Sequence, residues 1–335
     1  MDFPRITIYS SPVLRQRRNF IRRLMTYQEF KSHIMETAQN ALGPDVTVAI
    51  HDILKNNDTH LDGLTVLSNN SNISPTIYLN HYYRQYEKGR PLTDICKELL
   101  AACRENLPEG SIDISFFTCY DKVKSNIIFK LVNYEKNREM LKDVPHFRFL
   151  DLAVIFSCLL QTDSGGSATI LIHNQHLSYW NITKDDLYAL AFLNTPKLLQ
   201  YDLRSMTDIL KELTDGSEEL PEDTFFSPCP MYMLSNRSKL NGSACLLYRD
   251  LLKNFADRLN SDLYILPSSV HEVLIIPAAT KTFSDMRGPC GEAADASYRA
   301  LSDMVKEVNA TQLSPEDILS DHVYYFSRES CRLTM

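Results

Sequence analysis

The chain has 335 residues, 44% apolar and 23% charged, with 10 Gly and 15 Pro, which excludes collagen-like, low-complexity and wholly disordered proteins. Lys and Arg number 35 against 42 Asp and Glu; six arginines and one aspartate give residues 1–24 a charge of +5, leaving −12 on the remainder of a chain that totals −7. So acidic a body, with no Lys/Arg stripe interleaved with aromatics, argues against nucleic-acid binding except through the basic head 1–24.

That head lacks the apolar core and small-residue cleavage site of a secretory leader, and it is expected to be a disordered segment or an upstream-start artefact. Order should begin at Met25, because Thr26-Tyr27-Gln28-Glu29 reads as a capping box. Tyr27, Phe30, Ile34, Ala38 and Ala41 recur at helical spacing up to Gly43-Pro44. Val46–Ile50, Leu61–Leu67 and Thr76–Leu79 read as short strands. Pro91 suits the first position of a helix to Arg104, with Leu92, Ile95, Leu99 and Cys103 on one face. Together these predict an N-terminal α+β domain over residues 25–144.

The second region, 145–335, is announced by an Ile127–Val132 strand and the polar stretch Asn133–Asn137. The apolar run Leu152–Leu160, the Gly165-Gly166 turn and Ala168–Ile172 predict a buried hairpin. Thr183 is placed to cap a helix carrying Leu187, Leu190 and Ala191. Residues 213–230 form an acidic, Pro-rich loop. Tyr248, Leu251, Leu252, Phe255, Ala256 and Leu259 step as one helix face. Strands Asp262–Leu266 and His271–Ile276, a helix bearing Tyr298, Leu301, Met304, Val305 and Val308, and a strand Val323–Phe326 complete the region. Ile172, Asn174 and Leu177 echo Leu234, Asn236 and Leu240 as a faint repeat. The fold class is α+β: mixed, antiparallel-rich sheets with packed amphipathic helices in two or three sub-units.

The eight cysteines form no C-x-x-C pair and mostly sit in apolar runs, so a reducing, cytoplasmic setting is expected. Leu150–Leu160 is interrupted by Asp151 and Ser157 and is too short for a bilayer, so no membrane partner is expected.

Phosphate-loop, dinucleotide, zincin and nucleophile-elbow motifs are absent, and no cofactor or metal is expected. In Pro267–Glu272, strand alternation puts Ser269 and His271 on one face with Glu272 opposite. A catalytic Ser-His pair there would need a remote carboxylate such as Asp321. A tight turn in which the serines cap and His271 bonds a carbonyl is the structural counterpart. His51-Asp52, His271-Glu272 and Asp321-His322 pair imidazole with carboxylate, but each strand pair offers one ligand to a common centre. Asn133, Tyr134, Glu135 and Asn137 are candidate binding residues lining a cleft, or a helix start whose amides satisfy the backbone. Trp180 reads as a packing anchor.

Residues 74–80, 130–137, 265–273, 308–311 and 319–324 (for example KLVNYEKN, ILPSSVHEV and LSDHVY) resemble an uncharacterised domain-of-unknown-function family abundant in gut clostridia of the Lachnospiraceae type. The resemblance covers about residues 25–335 and implies a bacterial protein whose members begin near Met25. The loop Thr280–Asp295 is longer than the family pattern. Residues 170–194 are also similar to a second uncharacterised, bacillus-type cytosolic family. Neither resemblance implies a reaction. Charge and missing signatures point to a cytoplasmic interaction or regulatory module without catalysis, recognising a protein or peptide. The alternative is a hydrolase-like enzyme using Ser269, His271 and Asp321, or a metal held around them.

Overall fold

In the computed structural model the described residues are 24–69, 74, 76–105, 114–161, 167–213, 230–267, 269–278 and 292–335. The chain divides into two compact units, one formed by residues up to His51 with Asp62–Ser111, the other by Asp52–Leu61 with Ile112–Met335. Most of the head 1–24, the Gly165-Gly166 turn, Ser268 and most of the acidic loop 213–230 lie outside the described residues.

The first unit opens with α1 (Tyr27–Leu42). Thr26 Oγ accepts from the Glu29 amide, and the Glu29 carboxylate accepts from the Thr26 amide at 2.7 Å, closing the expected capping box. The helix stops at Gly43, whose φ of +87° needs a residue without Cβ and whose N–H reaches Gln39 O at 3.1 Å. Strands β1 (Val46–Leu54), β2 (His60–Ser68) and β3 (Thr76–Tyr78) follow in that order in one sheet, β2 and β3 antiparallel with Leu64 opposite Ile77. The chain then turns directly into α2 (Leu79–Glu87) and α3 (Leu92–Glu105). Phe30, Ile34, Leu64, Val66, Leu79, Ile95 and Leu99 form its core.

The second unit begins with a short α4 (Tyr120–Val123) and contains two sheets. In one, β4 (Ile127–Asn133) pairs antiparallel with β6 (Leu152–Gln161) from Ile127↔Cys158 to Asn133↔Leu152. The other edge of β6 takes β5 (His146–Phe149) and then β7 (Ser167–Leu171). Residues on both sides of position 145 therefore share one sheet. The β5–β6 turn is two residues long, and Leu150 within it sits at φ +56°, a strained region for a bulky side chain.

Helices α5 (Asn174–Trp180) and α6 (Lys184–Leu198) come next, α6 capped by Thr183 as expected. The larger sheet runs β13-β12-β10-β11-β9-β8: β8 (Tyr201–Ser205), β9 (Tyr232–Asn236), β10 (Leu263–Leu266), β11 (Val273–Pro277), β12 (Tyr324–Ser327) and β13 (Arg332–Thr334). Neighbouring strands in it are antiparallel throughout. Helix α7 (Met206–Leu213) follows β8, α8 (Leu251–Leu259) precedes β10, and α9 (Glu292–Thr311) precedes β12. One core joins Phe129, Leu131 and Phe156 of the first sheet to Leu187 and Ala191 of α6, Leu252 and Phe255 of α8, and Ile265, Val273 and Tyr324 of the second. The far face of the second sheet, Tyr264, Leu266 and Ile276, packs on Leu301 and Val305 of α9. This is α+β architecture.

Three details differ from the periodicity. The Tyr248–Leu259 helix begins only at Leu251, since Asp250 at φ +59° interrupts it and Gly242–Leu247 winds as 3-10. Leu79 belongs to a helix rather than to the preceding strand. The two halves of the faint repeat occupy unlike elements, because Asn174 starts α5 whereas Asn236 ends β9.

Candidate functional site

Residues 315–324 cross the second unit largely outside regular strand pairing, so their carbonyls need other donors. Asparagine side chains supply them. Asn57 Nδ2 donates to Pro315 O and Ile318 O, both at 2.7 Å, Asn56 Nδ2 to Glu316 O at 2.6 Å, and Asn133 Nδ2 to Leu319 O at 3.0 Å. Asn309 Nδ2 donates to Ser320 O at 2.9 Å. Asn137, fully buried, accepts from the Asn57 amide at 2.8 Å and donates to Asn133 O at 2.7 Å, while Asn133 Oδ1 caps Lys136 N at 2.9 Å. Asn133 and Asn137 thus replace missing backbone partners. Of their neighbours, Glu135 is exposed and Tyr134 half-buried. The Tyr134 ring lies between the guanidinium groups of Arg138 and Arg148, each 4.7 Å from its centroid, and Glu135 pairs with Arg138 at 2.9 Å.

Ser269 and Asp321 are drawn to the same segment. Ser269 forms an isolated bridge with Ile318, is 8% exposed, and accepts the His271 amide on Oγ at 3.0 Å. The His271 ring is 44% exposed and turns to Asp317, Nε2 to Oδ1 3.5 Å, while Nδ1 is buried without a partner among the described residues. Asp321 takes Lys136 Nζ at 2.8 Å and Asn309 Nδ2 at 2.8 Å. Burial opposes its ionisation, but the hydrogen bonds from Lys136 and Asn309 outweigh it and hold the carboxyl below the ordinary aspartate range. Ser269 Oγ meets the His271 amide rather than its ring, and the ring faces Asp317 rather than Asp321.

A second group gathers around Asp151, in the strained β5–β6 turn. Tyr324 OH donates to Oδ1 at 2.6 Å and Ser320 Oγ to Oδ2 at 2.6 Å, with His322 Nδ1 3.1 Å from Oδ2. Burial, then the adjacent carboxylate, pushes the Tyr324 hydroxyl far above the tyrosine range, so it stays a donor. Asp151 is 13% exposed and His322 56%, so the carboxylate is sunk while the imidazole edge faces outward. Ser320, His322 and Tyr324 alternate along the sequence, a period-two signal that places them on one side. Asp151 enters only through the fold. Among the described residues no group of three or more His, Cys, Asp and Glu side chains is placed to hold a metal.

A well-defined opening lies elsewhere in this unit. A groove of about 520 Å³ runs between Pro196 of α6, Tyr201 and Leu203 of β8, and Leu251, Asn254, Phe255 and Arg258 of α8, with Tyr248 and Arg249 also in its lining. Tyr201 and Leu203 share a face by strand alternation, and Leu203 packs against the main core. Tyr201 is 53% exposed. The Arg258 guanidinium covers the Phe255 ring at 4.9 Å. The lining contains two arginines and no carboxylate.

These features define an α+β protein whose buried amides brace an irregular segment and whose open surface is an aromatic, basic groove. Among the described residues no helix is long and apolar enough to cross a membrane. The chain belongs to a family of unknown function, DUF5688, which it matches over residues 27–328. No curated protein and no solved structure matches it.

Proposed function

We propose that the protein is a cytoplasmic interaction module that binds a partner polypeptide, without catalysis, through the groove between β8 and α8. The observation that carries this is the groove: its lining joins Leu203, Leu251 and Phe255 to the exposed Tyr201 and two arginines, on a chain whose body is otherwise net acidic. The polar residues that read as catalytic or binding candidates support it indirectly. Asn133, Asn137 and Ser269 spend their hydrogen bonds on neighbouring backbone, and Asp321 is held by Lys136 and Asn309. The free thiols suit a reducing compartment.

A photo-crosslinking amino acid in place of Tyr201, in the groove, and separately in place of Tyr179, exposed elsewhere, tests this reading in cells. Partner adducts confined to position 201 are expected. Equal yields at both positions, or none at either, would remove the module reading.

A hydrolase-like activity is the second reading, favoured by the His322 imidazole anchored on Asp151 beside Ser320, close along the chain to Asp321. Covalent labelling by a fluorophosphonate at Ser269 or Ser320, lost in His271→Ala or His322→Ala, would establish it; an unlabelled protein ends it.

A further inference from the structure

We infer that the partner is an extended acidic segment that adds alongside β8 as a seventh strand. The inference rests on the module reading above and names its ligand. Strand β8 ends the six-stranded order, with β9 on one side and no strand on the other among the described residues. An exposed edge of this kind presents unpaired N–H and C=O groups to any extended chain. The groove lies against this edge. Tyr201 and Leu203, two residues apart, repeat at the spacing with which alternate side chains of an added strand would descend toward Phe255.

Charge selects the sequence. Among the described residues Arg258 has no carboxylate within ion-pair distance, and Arg249 projects into solvent with its side chain 95% exposed, 3.5 Å from Asp250. Two guanidinium groups beside an edge strand favour glutamate or aspartate at alternate positions of the incoming segment. They also disfavour a basic one by like-charge repulsion.

Fluorescence anisotropy on the full chain tests this with labelled seven-residue peptides alternating Glu and Val, alternating Lys and Val, and alternating Glu and Val with every second amide N-methylated. The Glu/Val probe is expected to bind, more weakly as salt rises, and at least tenfold tighter than either other peptide. Joint Arg249→Glu and Arg258→Glu substitution, at surface positions that leave the fold intact, should cost the Glu/Val probe at least tenfold. Equal binding of acidic and basic peptides, or indifference to N-methylation, overturns the inference. So does tighter binding once Asp215, Glu218, Glu219, Glu222 and Asp223 are replaced by amides, because the groove would then belong to the chain's own acidic stretch. If no peptide binds while crosslinking at position 201 still captures a partner, the strand inference fails and the module reading survives.

Discussion

At Gly242 a single methyl group would decide whether a turn can meet a strand. A Cβ there would overlap Ser235 Oγ and the His271 carbonyl and lie 2.9 Å from Asn236 N, all parts of a packed core. Ser235 Oγ already donates to that carbonyl at 2.8 Å, so it cannot swing away without losing a bond. Gly242→Ala is expected to lower stability by about 2–3 kcal/mol, read as a fall in urea midpoint at unchanged slope. An unchanged midpoint would show that the turn can shift. Asp321 makes a prediction of opposite origin. A carboxyl held below its unfolded value stabilises the fold above that value, and the contribution is lost as pH falls through the folded one. Lys136→Met should therefore flatten the acid limb of the stability profile below about pH 4. Profiles of equal steepness for the two proteins would dismiss the ion pair. These residues were unequally legible beforehand. Asn133 and Asn137 stood out as polar residues between apolar runs, and their bonds to Lys136 and to each other are local, yet those to Leu319 and Asn57 join them to residues that no local pattern connects.

Elements were most legible where a local bond starts or stops them. Thr26 and Thr183 cap their helices by accepting on their hydroxyls the backbone amides three residues on, a spacing the sequence displays directly. Helix α2 was hidden because its buried face is largely tyrosine, a residue enriched in strands. Strands β8 and β13 are short, polar edges whose pairing comes wholly from β9 and β12. The junction between α6 and β4 shows how such assembly is held. Thr195, fully buried, donates from Oγ to Ala191 O at 2.6 Å and accepts the Phe129 amide at 3.0 Å. Thr195→Val keeps the volume but strands a buried N–H, and should cost about 1–3 kcal/mol in chemical denaturation. A neutral result would mean that the Phe129 amide finds another acceptor.

Across the whole molecule, thiol chemistry reports how the cores are closed. Burial pushes the Cys158 thiol up to about 11 and Cys245 up to about 12, and raises Cys103 as well. Cys119 and Cys331 are exposed. Iodoacetamide at neutral pH should label Cys119 and Cys331 first and reach Cys103, Cys158 and Cys245 only after denaturation, as peptide mass mapping will show. Early labelling of Cys245 would contradict the packing around α8 and β9.

Composition and periodicity alone determined the acidic body, the helix-capping sites, the antiparallel pairing of β6 with β7 and the α+β class, because each depends on residues close along the chain; the second strand of that pair, expected to be buried, is half-buried to exposed. Tertiary structure decided the rest. It took Asp151 from a strand turn to meet Ser320, His322 and Tyr324, and it set Arg258 of a helix beside Tyr201 of an edge strand. Contacts between groups tens to hundreds of residues apart depend on how sheets and helices pack, and side-chain alternation along one segment carries no information about its distant partner.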